Sequence, residues 1–311
     1  MAVFELKNYY SQKLYVKAKI LRSIFLPNIP SASGIEIIND EIYIIGDDSQ
    51  FLFHIDKDGN VIDKLPLTNN ATDIRIAKSD KPDYEAISFV NINNEDFLLV
   101  IGSGSLQIKR ENAKLINLNT KEIHSIVLSE IYTLFKNTMT IEDQRAFNIE
   151  GLSSDNTYLY FAQRGNITGH QMIFKLKIDE FFHFCNDKIT IPKITTYTFN
   201  LPSVKGVSFG ISGCCFDNES KQMLFCASAE TTHNTYDDGD ILGSIIGVID
   251  LQKDIDKNMN IIMLHEKCKA YTQKIESLSI LRKESITNYI LLAVCDNDDG
   301  SSILLEIQVN R

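Results

Sequence analysis

One short motif recurs five times along this chain of 311 residues, at nearly regular intervals. Its clearest copy is Phe147–Asp155, in which the carboxylate of Glu150 interrupts an apolar run and is followed by Gly-Leu-Ser. The other copies are Ser31–Ile38, Asp83–Val90, Gly210–Asp217 and Lys274–Leu281. The central positions of the five copies are Ser33, Glu85, Glu150, Ser212 and Glu276. Such a repeated signal is typical of an architecture in which each repeat is one supersecondary unit.

The segments between the motif copies consist mainly of short strand candidates separated by turn signals. The first group contains Glu41–Gly46, Phe51–Asp56 and Val61–Leu65, with a tight Asp-Gly-Asn turn at Asp58–Asn60 between the last two. The last group has only three strands, whereas a strand over Leu14–Leu21 has no group of its own. A five-bladed β-propeller accounts for both features, because the N-terminal strand becomes the outer strand of the last blade and closes the ring. We therefore predict an all-β fold.

One segment departs from the strand pattern. Its sequence, from Ser129 to Arg145, spaces apolar residues at helical intervals, and Ser129 is a candidate N-cap. This predicts one helical insertion near 129–145, which explains the longer interval between the second and third motif copies. The whole chain, residues 1–311, is then expected to form a single propeller domain.

Charge and hydropathy exclude several classes of function. The chain has 41 acidic and 31 basic residues, a formal net charge of −10, whereas nucleic acids and anionic membranes attract positively charged surfaces. It contains no run of 18 apolar residues and no visible secretion signal, so we expect a cytoplasmic protein. The six cysteines show no CxxC spacing, which favours reduced thiols. We expect a monomer that binds a small anionic substrate or another small ligand, and neither nucleic acid nor membrane.

Propeller geometry predicts that the five central positions of the motif meet near the channel axis, because each innermost strand begins at the same face of the ring. Three carboxylates cannot stay ionised and unpaired there, so either some are protonated or a cation lies between them. Carboxylate and hydroxyl oxygens suit Ca²⁺ in charge and number. The predicted metal ligands are Ser33, Glu85, Glu150, Ser212 and Glu276. The alternative is that these residues only cap strands.

The order Ser-Glu-Glu-Ser-Glu across five blades resembles the calcium-activated nucleotidase, or soluble apyrase, family. This resemblance implies a central Ca²⁺ held by the five central residues. It extends to Tyr43–Ser49 (YIIGDDS), which is similar to that family's strand ending in Asp-Asp-Arg-Thr-Gly: Asp47 and Asp48 match, whereas Ser49 replaces the arginine. Leu224–Glu230 (LFCASAE) corresponds to a strand ending in Pro-Arg-Arg and lacks both arginines. A partial likeness to the esterase-like propellers associated with phytases rests on Asp83–Glu85 and Asn148–Gly151.

The ends of the second strands are expected at the same face and supply candidates for chemistry. Asp47 and Asp48 are the candidate catalytic residues, because an aspartate near a metal can orient water. The candidate substrate-binding residues are Arg164, Lys205, Glu230 and Asp296. Arg164 and Lys205 would steady an anionic substrate, since phosphate groups need cationic partners. For Arg164 the alternative is an ordinary salt bridge to an acidic residue of the rim.

Three functions are compatible with these observations. The first is a Ca²⁺-dependent hydrolase of phosphoesters or phosphoanhydrides, although the missing arginines count against it. The second is a glycoside hydrolase, which needs two carboxylates about 5–9.5 Å apart, with Asp47, Asp296 and Asp298 as candidates; the absence of Trp counts against it. The third is a non-catalytic propeller with a structural metal, which binds a ligand or a protein.

Overall fold

The computed structural model describes residues 17–68, 71, 74–77, 79–231, 239–297 and 299–310. Within these ranges the chain forms five antiparallel blades, which confirms the five-bladed β-propeller predicted from the repeats. The innermost strands of neighbouring blades pack against each other around the ring, and that of the last blade contacts that of the first. The innermost strands therefore surround one central channel.

The strands follow each other from the innermost to the outermost within each blade, apart from the first, β1 (Lys17–Leu26), which belongs to the last blade. Blade 1 consists of β2 (Ala32–Ile38), β3 (Glu41–Gly46), β4 (Phe51–Ile55) and β5 (Val61–Pro66). Blade 2 consists of β6 (Tyr84–Ile92), β7 (Glu95–Gly102), β8 (Asn112–Asn117) and β9 (Ile123–Val127). Blade 3 consists of β10 (Ile149–Ser154), β11 (Tyr158–Gln163), β12 (His170–Lys177) and β13 (Thr195–Asn200).

Blade 4 carries an additional short strand beside its innermost one. It consists of β14 (Ser203–Val204), β15 (Val207–Asp217), β16 (Gln222–Glu230), β17 (Ile241–Ile249) and β18 (Asn260–Met263). A small hairpin, β19 (His265–Glu266) and β20 (Lys269–Ala270), separates it from the last blade. Blade 5 is built from β21 (Ile275–Ser285), β22 (Asn288–Asp296) and β23 (Ser302–Asn310), with β1 outermost.

The ring is closed by the N-terminal strand, as predicted from the sequence. The N-terminal strand β1 pairs antiparallel with β23, from Lys17 opposite Asn310 to Leu26 opposite Ser302. The sequence assigned this role to Leu14–Leu21, of which residues 14–16 lie outside the described ranges. The first strand thus covers an edge that β23 would otherwise expose to water and to other chains.

Four short helices lie between the strands: α1 (Ser129–Lys136), α2 (Ile141–Arg145), α3 (Ile178–Asp187) and α4 (Ile255–Asn258). The first two confirm the predicted helical insertion and divide it in two. The sequence did not predict α3, because its apolar Phe-Phe-His-Phe run suits a strand equally well. Its buried residues Ile178, Phe181 and Phe184 recur at helical spacing and pack into the core of blades 2 and 3. No described helix is long and apolar enough to cross a membrane.

The five motif positions share one backbone feature that the sequence did not reveal. At each of them the innermost strand gains one residue relative to its neighbour, so that its register shifts at Ser33, Glu85, Glu150, Ser212 and Glu276. Such bulges re-aim a side chain and are over-represented next to active sites. The repeat therefore encodes a bulge in every innermost strand, at its second residue in four blades and at the sixth residue of β15 in blade 4.

The residue after each bulge is small because the innermost strands approach one another closely. These residues are Gly34, Ala86, Gly151, Gly213 and Ser277. A Cβ atom on Gly213 would lie 2.6 Å from Ser277 Cα and 2.8 Å from Glu276 O, both backbone atoms of blade 5. A side chain at this position would therefore push two blades apart.

Candidate metal centre at the channel mouth

A polar cavity of about 240 Å³ opens where the bulges and the ends of the second strands meet. The carboxylates among its lining residues are Asp47, Asp48, Asp83, Glu85, Glu150, Glu276 and Asp296. The cationic lining residues are Arg75, Lys81, Arg110, Arg164 and Lys274. The other lining residues are Ser31, Ser33, Ile76 and Asn148. The lining thus contains charges of both signs, and it contains no aromatic side chain within the described part of the chain.

Three of these carboxylates form a candidate metal cluster. Asp47 directly follows β3, whereas Asp83 directly precedes β6 and Glu85 occupies the bulge of that strand. One oxygen from each carboxylate lies within 4.8 Å of the other two. Oxygens bound to one Ca²⁺ at 2.3–2.6 Å can be up to about 5 Å apart, so a single ion could bind all three.

Asp83 is fixed by several groups and was not among the ligands predicted from the sequence. Its backbone has φ 58°, a conformation in which aspartate is enriched. Its Oδ2 atom accepts hydrogen bonds from Ser103 Oγ at 2.5 Å and from Arg110 Nη1 at 2.8 Å. The available signal was its position in Asp83-Tyr84-Glu85, two residues before a predicted ligand.

Lys81 supplies the cluster with a built-in positive charge. Its Nζ atom lies 2.9 Å from Asp83 Oδ1 and also contacts Asp47 Oδ2. Desolvation lowers the pKa of Lys81, but the charges of Asp47 and Asp83 outweigh it and raise this pKa above its ordinary value. Lys81 therefore stays protonated between the two aspartates.

Glu85 has no such partner. Within the described part of the chain no hydrogen bond or ion pair reaches its carboxylate. Desolvation and the neighbouring charges of Asp83 and Asp47 raise its pKa well above the ordinary value. Desolvation also raises the pKa of Asp47, with Lys81 acting in the opposite direction. Lys81 and Arg110 thus pair with Asp47 and Asp83, whereas the carboxylate of Glu85 is left without an ion-pair partner among the described residues.

Asp48, the second candidate catalytic residue, lies beside the cluster. Its Oδ2 atom accepts a hydrogen bond of 2.7 Å from Arg75 Nε, and its backbone carbonyl accepts one from Ile76 N. Its buried Oδ1 atom has no hydrogen-bond partner. An aspartate with one oxygen fixed and the other free can accept a proton from a bound molecule.

Glu150, which lines the same cavity, is part of an ion-pair network. Its Oε1 atom accepts hydrogen bonds of 2.6 Å from Asn148 Nδ2 and from Arg164 Nη1, whereas its buried Oε2 atom has no partner. Arg164 Nη2 contacts Glu230, whose other oxygen accepts a hydrogen bond from Gly239 N at 2.9 Å. Despite desolvation, the charges of Lys274 and Arg164 lower the pKa of Glu230.

Glu276 and Lys274 form the next pair, with Lys274 Nζ 2.9 Å from Glu276 Oε1. Desolvation raises the pKa of Glu276 to about 8, because the nearby charge of Glu150 adds to it and Lys274 only partly compensates. From the sequence, a metal ion was expected to neutralise these carboxylates. Arg164 does so at Glu150, and Lys274 does so at Glu276.

The two serines of the motif hold neighbouring blades together. Ser33 Oγ donates to Tyr84 O at 2.5 Å, and Ser212 Oγ donates to Ile275 O. Each acceptor is the residue that precedes the bulged glutamate of the next blade. A metal role for these two hydroxyls stays a prediction, and Ser212 is not part of the cavity lining.

The remaining candidates divide between the cavity and its surroundings. Asp296 lines the cavity at the end of β22. Glu230 lies behind Arg164, and Lys205 is exposed in the turn between β14 and β15, so neither lines the cavity. Asp298 lies outside the described residues. Of the eleven sequence-predicted site residues that it describes, the structure therefore brings eight to one cavity: Ser33, Asp47, Asp48, Glu85, Glu150, Arg164, Glu276 and Asp296.

Comparison with known proteins gives a family without a described activity. Residues 28–309 match the model of a family of unknown function, DUF6929. The chain belongs to this family. Because the family description gives no function, it neither supports nor contradicts the resemblance to soluble apyrases. No curated protein matches the sequence.

Solved structures with a similar fold share little sequence with this DUF6929 protein. A glutaminyl cyclase from Myxococcus xanthus superposes with a TM-score of 0.52 at 9% identity, over 94% of this chain and 96% of that chain. The calcium-binding protein regucalcin from Agrobacterium tumefaciens C58 gives 0.42 at 9% identity, over 93% and 95%. A GH43 β-1,3-galactosidase, BT3683, gives 0.49 at 10% identity, over 90% of both chains. At such identities the likeness concerns the fold alone.

Proposed function

We propose that this protein is a propeller hydrolase that works with a divalent cation, Ca²⁺ being the first candidate, at Asp47, Asp83 and Glu85. The observation that carries this proposal is that three carboxylate oxygens, one from each residue, lie within 4.8 Å of one another. A second, independent observation supports it: the buried oxygens Asp48 Oδ1 and Glu150 Oε2, on residues of the same lining, have no hydrogen-bond partner in the described part of the chain. Buried acceptors without partners are costly, and a bound ion with its water or substrate would satisfy them.

Hard oxygen ligands favour Ca²⁺ or Mg²⁺ over softer metals. Three carboxylates leave several coordination positions of a Ca²⁺ ion for water and substrate. A bound divalent cation would polarise the bond to be broken and lower the pKa of a bound water. Lys81 would have to share or release its two aspartates, because its ammonium group contacts Asp47 Oδ2 and Asp83 Oδ1.

The chain's own residues would position the reactants. Asp48 would accept the proton of the attacking water through Oδ1, while Arg75 holds its other oxygen. Ion pairs with Arg164 and Lys274 fix Glu150 and Glu276 on the cavity lining. Fixed groups of this kind stabilise developing charge without reorganisation during the reaction.

Two substrate classes compete in this proposal. The phosphoesters and phosphoanhydrides implied by the apyrase resemblance need free cations, whereas Arg164 is engaged by two glutamates and Lys205 lies away from the cavity. Glycosides need a pair of carboxylates, and the lining offers seven. The non-catalytic alternative would keep the same cavity as a binding site only.

Hydrolysis assays with and without calcium test the proposal. Release of nitrophenol from aryl phosphates and aryl glycosides, and of phosphate from nucleoside di- and triphosphates, would be measured in Ca²⁺ and in chelator. We expect turnover that requires Ca²⁺ and falls at least about 100-fold in Glu85→Gln, since a metal ligand is lost. Glu122→Gln, at an exposed position of blade 2, provides the matched control and should behave as wild type. Turnover that persists in chelator would contradict the metal requirement, and no turnover on any substrate would favour the binding function.

A further inference from the structure

Four buried polar atoms on residues that line the cavity have no hydrogen-bond partner among the described residues, and three of the four are acceptors. Three are acceptors: Asp48 Oδ1, Asn148 Oδ1 and Glu150 Oε2. One is a donor, Arg164 Nε. The exposed fractions of these residues are only 7%, 5%, 3% and 8%. A molecule that fills the cavity should therefore bring several donors and at least one acceptor.

These atoms cannot simply turn toward other partners. Asn148 donates through Nδ2 to Glu150 Oε1 at 2.6 Å, which leaves its Oδ1 pointing elsewhere. Its backbone N–H donates to Gln163 Oε1 at 2.8 Å, and Gln163 is fixed in turn by Ala146 O. Arg164 is held at both terminal nitrogens by Glu150 and Glu230. The open acceptors and the open donor are thus preorganised.

The charge of the lining argues against a polyanionic ligand. All five lining cations already form ion pairs with carboxylates: Arg75, Lys81, Arg110, Arg164 and Lys274. The lining has seven carboxylates against these five cations, and one divalent cation would bring its formal charge to zero. A phosphate ester dianion has no donor for the unpartnered carboxylate oxygens, and its charge would repel theirs.

We propose that Asn148, Glu150 and Arg164, with Asp48 on the same lining, form a subsite for one neutral, hydroxyl-rich unit such as a monosaccharide ring. This inference rests on the proposed function and gives its substrate class: glycosides rather than phosphate esters. A hydroxyl group both donates and accepts, so a ring with several hydroxyls can satisfy three acceptors and one donor together. An ammonium group could serve the acceptors, but it has no lone pair for Arg164 Nε. The volume of about 240 Å³ is below the range of about 300–1,000 Å³ for drug-sized ligands, which suits a single ring.

Binding measurements on the full chain test the ligand class directly. Saturation-transfer NMR and calorimetry would compare methyl glycosides of neutral hexoses and pentoses with inorganic phosphate, adenosine monophosphate and methylammonium, each in Ca²⁺ and in chelator. We expect at least one methyl glycoside to bind, and phosphate, the nucleotide and methylammonium not to bind. Binding of only phosphate or nucleotide, binding of only methylammonium, or no binding by any probe would overturn the inference.

A pair of asparagine variants tests the subsite. Asn148→Ala should weaken glycoside binding about 3- to 10-fold, the effect of losing one hydrogen bond. Asn288→Ala is the matched control, because Asn288 Oδ1 is also without a partner but its residue starts β22 and does not line the cavity. If Asn148→Ala lowers the melting temperature, Asn148→Ser keeps an oxygen there and should bind more tightly than Asn148→Ala. Equal effects of the alanine variants at 148 and 288 would contradict the subsite.

The two proposals fail in different ways. Glycoside binding that is indifferent to Ca²⁺ and unaccompanied by turnover would support the subsite and contradict the metal-dependent hydrolase. Ca²⁺-dependent hydrolysis of phosphate esters, with no glycoside binding, would support the hydrolase and contradict the subsite.

Discussion

Charged residues at the channel mouth differ from one another mainly in whether a partner fixes them. Arg164 lies between Glu150 and Glu230 in a buried network, and Lys81 lies between Asp47 and Asp83. Removing one partner of a buried pair leaves an uncompensated charge, which costs more than the pair itself contributes. Only Glu85, among the described carboxylates of the metal cluster, receives no hydrogen bond or ion pair. Stability and function are therefore expected to depend on different residues of the same cavity.

Glu230→Gln tests the structural part of this division. The change keeps the shape of the side chain but removes the charge that holds Arg164 Nη2. We expect the free energy of unfolding to fall by about 3 kcal/mol, as measured by denaturant titration. The exposed variant Glu122→Gln should change it by less than about 0.5 kcal/mol. A Glu230→Gln protein as stable as Glu122→Gln would show that the network is not needed for folding.

Blades are joined at the level of strands by the bulges and by the small residues that follow them. Gly213→Ala should destabilise the protein by about 1–3 kcal/mol, because its Cβ would press on the backbone of Ser277 and Glu276. Gly243→Ala in β17 is the matched control, since its Cβ would have ordinary contacts, the nearest at 3.6 Å. Thermal unfolding of both variants checks this. Equal melting temperatures for the two would contradict close packing of the inner strands.

Farther along the channel Glu36 connects three innermost strands. Its carboxylate accepts hydrogen bonds from Phe89 N of β6 and from Ser279 Oγ of β21, at 3.0 and 3.1 Å. Burial nevertheless raises its pKa above the ordinary 4.5, with these hydrogen bonds acting in the opposite direction. A folded-state pKa above the unfolded one favours the protonated folded form. Its contribution to stability is therefore complete below about pH 4.5 and is lost as the pH rises through the folded pKa.

Glu36→Gln should remove this pH dependence, because the amide stays neutral. Relative to wild type, the variant's melting temperature is expected to rise progressively from pH 4.5 upward, until the folded-state pKa of Glu36 is passed. The difference in melting temperature between variant and wild type also reflects a changed hydrogen bond. The quantity to measure is therefore the slope of this difference with pH. A difference that is constant with pH would contradict a raised pKa at Glu36.

At the scale of the whole molecule, the sequence predicts the ring better than it predicts the site. Five copies of one motif and a spare N-terminal strand are enough to give five blades and their closure, because each copy marks one innermost strand. The same copies indicate the channel mouth, where Glu85, Glu150 and Glu276 do lie. A salt bridge of Arg164 was one of the two alternatives, but its partner was not predictable, since Glu230 belongs to another blade and lies 66 residues away in sequence. Asp83 was missed because it precedes the repeated position, and α3 because its aromatic run fits two secondary structures.

The proposed central site is built by several blades and would be completed by a divalent cation. Calorimetric titration of Ca²⁺ into chelator-treated protein tests this most directly, with wild type compared with Glu85→Gln and with the exposed control Glu122→Gln. Binding of one Ca²⁺ per chain is expected in wild type and in the control, and a loss of affinity of at least about tenfold in Glu85→Gln, because a charged ligand is removed. No binding in wild type, or equal binding in wild type and Glu85→Gln, would contradict a metal centre at Asp47, Asp83 and Glu85.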